Sequence, residues 1–173
     1  IGGIRYLDQM KMLVDAAGNA GVNVLFAGAG GTSSDYESIY TYCKGKDNVT
    51  FTGKYHYNND IARLYGMVDC VYAVYDADNP NVRIALPNKL YEAAYCGLPL
   101  IVAKGTYLAE VVEEYHLGYA VDHRDKAELA AVLEKLQHAQ GEDTNKAMQA
   151  GLDFLSSLDK ADLATRLSTL ING

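Results

Sequence analysis

Short apolar runs alternate along this chain with stretches in which apolar residues recur every three or four positions. The first pattern is that of buried strands and the second that of amphipathic helices. Leu7, Met10, Leu13 and Val14 share one face of an opening helix, and Val22 to Phe26 is a strand running into Ala27-Gly28-Ala29-Gly30-Gly31. A helix over about 35–44 precedes a short strand, Val49 to Thr52, closed by Gly53. A helix over about 60–67 leads into the strand Cys70 to Tyr75, and a long loop follows. The next helix, about 87–96, carries its stop signals in Gly97 and Pro99. Leu100 to Ala103 is a strand, about 108–115 a helix ending near Gly118, and Tyr119 to Val121 a last short strand. From Asp125 the pattern is helical throughout, over about 126–139, 143–157 and 160–170.

Strand and helix thus alternate five or six times before an all-helical tail, which predicts an α/β fold. The expectation is one Rossmann-like, doubly wound parallel sheet of about six strands, with helices on both faces and a helical C-terminal tail. Residues 1–122 would form the core and 123–173 the tail of a single domain. Ile1-Gly2-Gly3 reads as the end of a strand entering a glycine turn, and the chain opens without methionine, as a fragment of a longer protein would. Ligands of such sheets bind outside the carboxyl ends of the strands. That rule selects the loops at 2–5, 27–34, 53–57, 76–88 and 104–107.

Composition narrows the classes. With 49% hydrophobic and 21% charged residues among 173, a sizeable core is available and wholesale disorder is excluded. No apolar run approaches the ~20 residues of a membrane helix, so no transmembrane segment is expected. A cytoplasmic chain follows, placed at the inner membrane surface only if a full-length enzyme carries it there. The net charge of −7 is concentrated after residue 105. An acidic chain without a basic stripe argues against nucleic acid as a partner. Cys43, Cys70 and Cys96 are odd in number and contain no CxxC, so neither a disulfide framework nor a zinc site is suggested.

The richest stretch for chemistry runs from Asn79 to Pro99. A long loop there enters a helix with Pro87 near its first turn, where proline is favoured. The free amides and positive dipole end of that turn make an anion site, with Lys89 beside it and Arg83 upstream. Asn88 and Glu92 are four apart and share a helix face, so a carboxylate stands one turn behind the anion site, placed to accept bonds from a ribose diol. An ordinary capped helix with a surface glutamate would have the same pattern. Asp76-Ala77-Asp78 could bind a divalent cation, but Asn79-Pro80 makes it a turn sequence in which Asp serves its own backbone. Gly28, Gly30 and Gly31 do not complete GxGxxG, which argues against a dinucleotide cofactor. That loop instead allows close approach of backbone or ligand. His56, His116, His123 and His138 show no metal spacing. Most of the fourteen tyrosines, Tyr72, Tyr75 and Tyr91 among them, read as core or edge packing.

The run LPNKLYEAAYCGLPLIV resembles the donor-binding motif of family 4 (group 1) glycosyltransferases of GT-B fold. GGIRY, VLFAGAGG, VTFTGKY, IARLYGMVDCVYAVYD and GTYLAEVVEEYHLGYAVD agree in order, so that the resemblance covers about residues 1–135. It implies the C-terminal, nucleotide-sugar-binding half of a two-domain enzyme, with UDP the favoured nucleotide, retaining transfer, no metal and no cofactor. Glu92 resembles the family glutamate that holds the ribose hydroxyls. The amides of Asn88, Lys89 and Leu90 would meet the diphosphate. Arg5, after Gly2 and Gly3, resembles the arginine that pairs with the distal phosphate, which places Gly3 at the donor as well. Tyr55 lies where the family's backbone meets the base. One departure is Ile84, at the position of the family's first glutamate. A sugar contact would then come from Asn81, Arg83 or backbone. The groups for the chemical step and the acceptor site would belong to an N-terminal domain. A noncatalytic nucleotide- or sugar-binding module is the other class this departure leaves open.

Overall fold

The computed structural model describes residues 1–28, 34–139 and 141–158. The glycine loop after Gly28 and the helix expected over about 160–170 lie outside the described residues. The elements are α1 (Leu7–Ala20), β1 (Val24–Ala27), α2 (Ser34–Tyr42), β2 (Val49–Gly53), α3 (Tyr57–Tyr65), β3 (Val71–Ala73) and α4 (Pro80–Ile84). They continue as α5 (Asn88–Cys96), β4 (Leu100–Ala103), α6 (Tyr107–Glu114), β5 (Gly118–Val121), α7 (Lys126–Gln137) and α8 (Gly141–Ser157). The periodicity therefore locates strands and long helices to within a few residues. It misses α4, five residues within the expected loop. Asn79 starts that helix by accepting the Asn81 amide at 3.0 Å, and Pro80 occupies its first turn.

All five strands among the described residues pair in parallel, in the orders β1-β2 and β3-β4-β5. Residues 1–3 form no strand, although the Gly2 amide bonds the Ala27 carbonyl at 2.9 Å at the carboxyl end of β1. Helices lie on both sides because β4 is apolar on both. Leu100 and Val102 join Leu90, Val112 and Phe154 of α5, α6 and α8. Ile101 and Ala103 point the other way, to Val14 of α1, Ile39 of α2 and Leu129 of α7. This period-two division of a wholly apolar strand is what a doubly wound sheet requires.

The described part of the tail stays on this domain. Helix α8 crosses α5 so closely that a Cβ on Gly151 would stand 2.1 Å from the Ala94 carbonyl oxygen. Phe154 then reaches Tyr91 and Tyr115, with ring centroids 5.9 and 5.0 Å away.

Gly28 answers the expectation of a close approach. Its φ is +135°, and a Cβ there would lie 2.0 Å from the Gly2 carbonyl oxygen. Gly28→Ala is therefore expected to lower stability by about 1–3 kcal/mol. Gly18, inside α1 with open space around its Cα, gives the opposite sign: Gly18→Ala gains up to about 1 kcal/mol of helix propensity. Urea unfolding of both variants beside the parent checks the pair.

Candidate functional site

Loops at the carboxyl ends of the strands converge on the first two turns of α5. Pro87 caps that helix without a side-chain bond. The Leu90 amide donates to the Pro87 carbonyl at 3.0 Å, so Asn88 and Lys89 carry the amides for which the helix itself has no acceptor. The Leu90 side chain is fully buried and can offer a ligand only its backbone.

Glu92 sits one turn on and is held from α3. Tyr57 donates to one carboxylate oxygen at 2.5 Å and Tyr65 to the other at 2.6 Å. Neither tyrosine figures in the sequence-based site. They lie 35 and 27 residues from Glu92, and no local pattern marks that pairing. Burial, then the bond to Glu92, pushes the Tyr65 phenol well above its ordinary value of 10.0. The exposed Tyr57 phenol is raised mainly by its bond to the same carboxylate. Tyr55 is raised by burial and then by the charge of Glu92, so it too belongs to this cluster.

Lys89 points inward, not toward solvent. Its Nζ donates to the Tyr72 carbonyl at 3.3 Å and lies 5.4 Å from the Tyr75 ring centre. Gly3 and Arg5 border the same cavity as Pro87 and Lys89, and Arg5 is exposed. Arg83 turns away: its Nε donates to the Ala77 carbonyl at 2.8 Å. Ile84, at the end of α4, is 75% exposed and brings no carboxylate. The fold thus gathers Tyr55, Asn88, Lys89 and Glu92 about the start of α5, sets Gly3 and Arg5 at the cavity it shares, and leaves Arg83 engaged with its own loop.

A second cluster joins residues that chain spacing keeps apart. Asp76, Asp78 and His123 place ligand-type atoms within 4.8 Å of one another. Asp76 accepts the Asp78 amide at 3.1 Å, the turn role expected of it. Asp78 pairs with Arg124, and His123 Nδ1 accepts the Ala77 amide at 3.3 Å. These bonds already occupy the carboxylates and one ring nitrogen, and hard cations ask for more oxygen ligands than remain.

An uncapped helix start, a carboxylate one turn later and flanking cations suit a molecule with an anionic group and a diol. Comparison with known proteins agrees: residues 2–138 match the family model of "Glycosyl transferases group 1". The chain belongs to the group 1 glycosyltransferases. The succinoglycan biosynthesis protein ExoL of Rhizobium meliloti (strain 1021) is 29% identical over 101 residues, which cover 58% of this chain and 25% of ExoL. The Anabaena HepE structure with UDP and glucose superposes with a TM-score of 0.76 at 20% identity, over 99% of this chain and 47% of HepE. The C-terminal domain of the group 1 protein LpcC from Francisella tularensis superposes with a TM-score of 0.71 at 18% identity, over 91% of this chain and 83% of that one. The chain therefore has the fold of the C-terminal domain of these GT-B proteins, and it spans a quarter of ExoL and just under half of HepE. No described helix is long and apolar enough to cross a membrane.

The raised phenols fix a pH dependence. Tyr65 and Tyr72 stay protonated in the native state well above 10.0, both through burial and Tyr65 also through Glu92. Their unfolded counterparts ionise near 10. The native state then holds more protons, so their contribution is intact below pH 10 and is lost as pH rises beyond it. Urea unfolding at pH 9 and pH 11 should show the loss, with a shallower fall in Tyr65→Phe. At pH 7 that substitution costs about 0.5–1.5 kcal/mol, whereas Tyr57→Phe, at an exposed position, stays within about 0.5 kcal/mol.

Proposed function

We propose that this chain is the nucleotide-sugar-binding half of a glycosyltransferase that acts in glycan or polysaccharide biosynthesis, with UDP as the nucleotide. The observation that carries this reading is the Glu92 carboxylate, one turn behind the two free amides of α5 and already bonded to two hydroxyl donors. A ribose diol offers the same chemistry as those phenols. The half-exposed Tyr57 is the partner it would displace, while Tyr65 keeps the second oxygen oriented. The diphosphate would lie against the Asn88 and Lys89 amides, with Arg5 at its distal end. Arg5 is suited to that task because its planar fork is permanently charged and binds phosphate oxygens in pairs. Tyr55 would face the base.

In this reading the domain contributes to transfer by stabilising the departing diphosphate where negative charge develops. No step is routed through a metal. Retention of configuration follows from the family resemblance. The acceptor site and the remaining catalytic groups belong to an N-terminal domain that closes over the donor, in a cytoplasmic enzyme supplied with nucleotide sugars there. The nucleotide-sugar and polysaccharide parts of this reading are supported by the likeness to ExoL, a succinoglycan biosynthesis protein, and to HepE, whose structure holds UDP and glucose.

Ile84 favours a second reading. An exposed apolar side chain where the family has its first glutamate is what a noncatalytic module with a decayed sugar site would carry.

Calorimetric titration with UDP, GDP and ADP, with and without magnesium, tests both. The expected result is saturable UDP binding that is indifferent to magnesium and weakened at least about tenfold, about 1.4 kcal/mol, in Glu92→Ala and in Arg5→Ala. Absence of binding by all three nucleotides would favour the decayed site. A magnesium requirement would transfer the role to Asp76 and Asp78.

A further inference from the structure

Two non-glycine residues among the described ones have positive φ, His116 and Tyr6. His116 stands just past the end of α6, where helices commonly close through such a residue. Tyr6 instead precedes the first turn of α1, with φ 62° and ψ 62°, and its side chain makes no capping bond to the helix. Residues that start helices are normally extended and cap the first amides with a short polar side chain. A left-handed backbone is also costly for any residue with a Cβ. Neither local rule selects tyrosine here, so a tertiary contact must hold the conformation.

That contact is Tyr75, just beyond β3. The two ring centroids are 5.3 Å apart and the planes are inclined by 43°, within the range of favourable aromatic pairs. Ile4 enters the core with 4% of its surface exposed, whereas Arg5 stays exposed at the cavity. Arg5 therefore leaves the chain between two anchored side chains, Ile4 in the core and Tyr6 on Tyr75. The same Tyr75 ring meets Lys89, whose Nζ lies 5.4 Å from the ring centre and donates to the Tyr72 carbonyl at 3.3 Å. A cation over an aromatic face is attracted by the ring quadrupole. The flexible four-carbon stem of this lysine is thus held at two points of one segment, where it would otherwise follow solvent. One ring touches both the residue joined to Arg5 and the ammonium of Lys89, and all four residues border the same cavity as Pro87.

We propose that Tyr75 is a positioning residue for the cations of the site. Its ring pins the left-handed turn at Tyr6, which aims Arg5, and holds Lys89 at the start of α5, so that both charges converge on the diphosphate of a bound nucleotide. This deepens the donor reading given above and rests on it. Tyr75 acts through its two neighbours and touches no donor atom itself. Its contribution therefore belongs to the diphosphate, whose charge Arg5 and Lys89 meet, and not to the base or the ribose. Both contacts are made with the ring, so phenylalanine suffices at this position.

Uridine and UDP share base and ribose and differ in the diphosphate, so the ratio of their dissociation constants, from NMR titrations of the 173-residue chain, isolates that part. In Tyr75→Leu, UDP should bind at least about fivefold more weakly, and uridine within about twofold of the parent. Tyr75→Phe, which keeps the ring, should bind UDP within about twofold of the parent. Tyr6→Gly accepts left-handed backbone but has no ring to pin it, and should lose about threefold in UDP affinity. Combined with Tyr75→Leu it should lose no more than Tyr75→Leu alone, because both remove the same contact. Equal losses for uridine and UDP in Tyr75→Leu would make the ring a structural support only and overturn the proposal. Unchanged UDP binding in that variant, or a loss in Tyr75→Phe as large as in Tyr75→Leu, would overturn it as well. If Tyr75→Leu does not fold, Tyr6→Gly carries the test, and parental UDP affinity there overturns the proposal. A parent chain that binds neither ligand, or gains nothing from the diphosphate, would remove the donor reading itself and this proposal with it.

Discussion

The structure depends on β4, a strand with no polar side. Leu100, Ile101 and Val102 are fully buried, and Ala103 is 2% exposed. Each alternate side chain enters a different helical layer, while the backbone pairs with β3 on one side and β5 on the other. Burial of such side chains contributes about 1.5–3 kcal/mol each, and here the same four residues anchor both layers. The position of α5 relative to the strand ends, and with it the direction in which its first amides point, follows from this packing.

On that frame the candidate site is polar where the core is not. Glu92 is on the helix whose Leu90, Ala93 and Ala94 are buried, so its backbone is fixed by apolar contacts while its carboxylate is turned by two phenols from α3. Lys89, its near neighbour, is bonded to a strand edge instead of facing solvent. The same helix therefore offers core side chains, two amides without a helical acceptor and a bond to a strand edge within a few residues.

Much of the fold was legible in the chain itself. Helix α5 is bounded by Pro87 and by Gly97, whose φ is +65°, and β4 runs over the four residues its apolar run suggests. Helix α4 was not legible, because Asn79-Pro80 opens a turn or a helix equally well and five residues show no period. The Tyr57–Glu92 and Tyr65–Glu92 bonds, and the approach of His123 to Asp76 and Asp78, were invisible for a different reason. They join residues that are distant in the chain, and no side-chain type at one position restricts its partner enough to name it.

The sequence by itself determined what depends on neighbours within a turn or a strand: element type, stop signals, the apolar character of both faces of β4 and the start of α5 at Pro87. These rest on backbone sterics and on a period that a few adjacent residues express. Tertiary structure alone decided which carboxylate meets which phenol, that Arg83 bonds its own loop, and that Lys89 turns to the Tyr72 carbonyl of β3. Those outcomes follow from how packed layers bring remote segments to the same point, where a hydrogen bond forms only if geometry delivers the donor within about 3 Å of its acceptor.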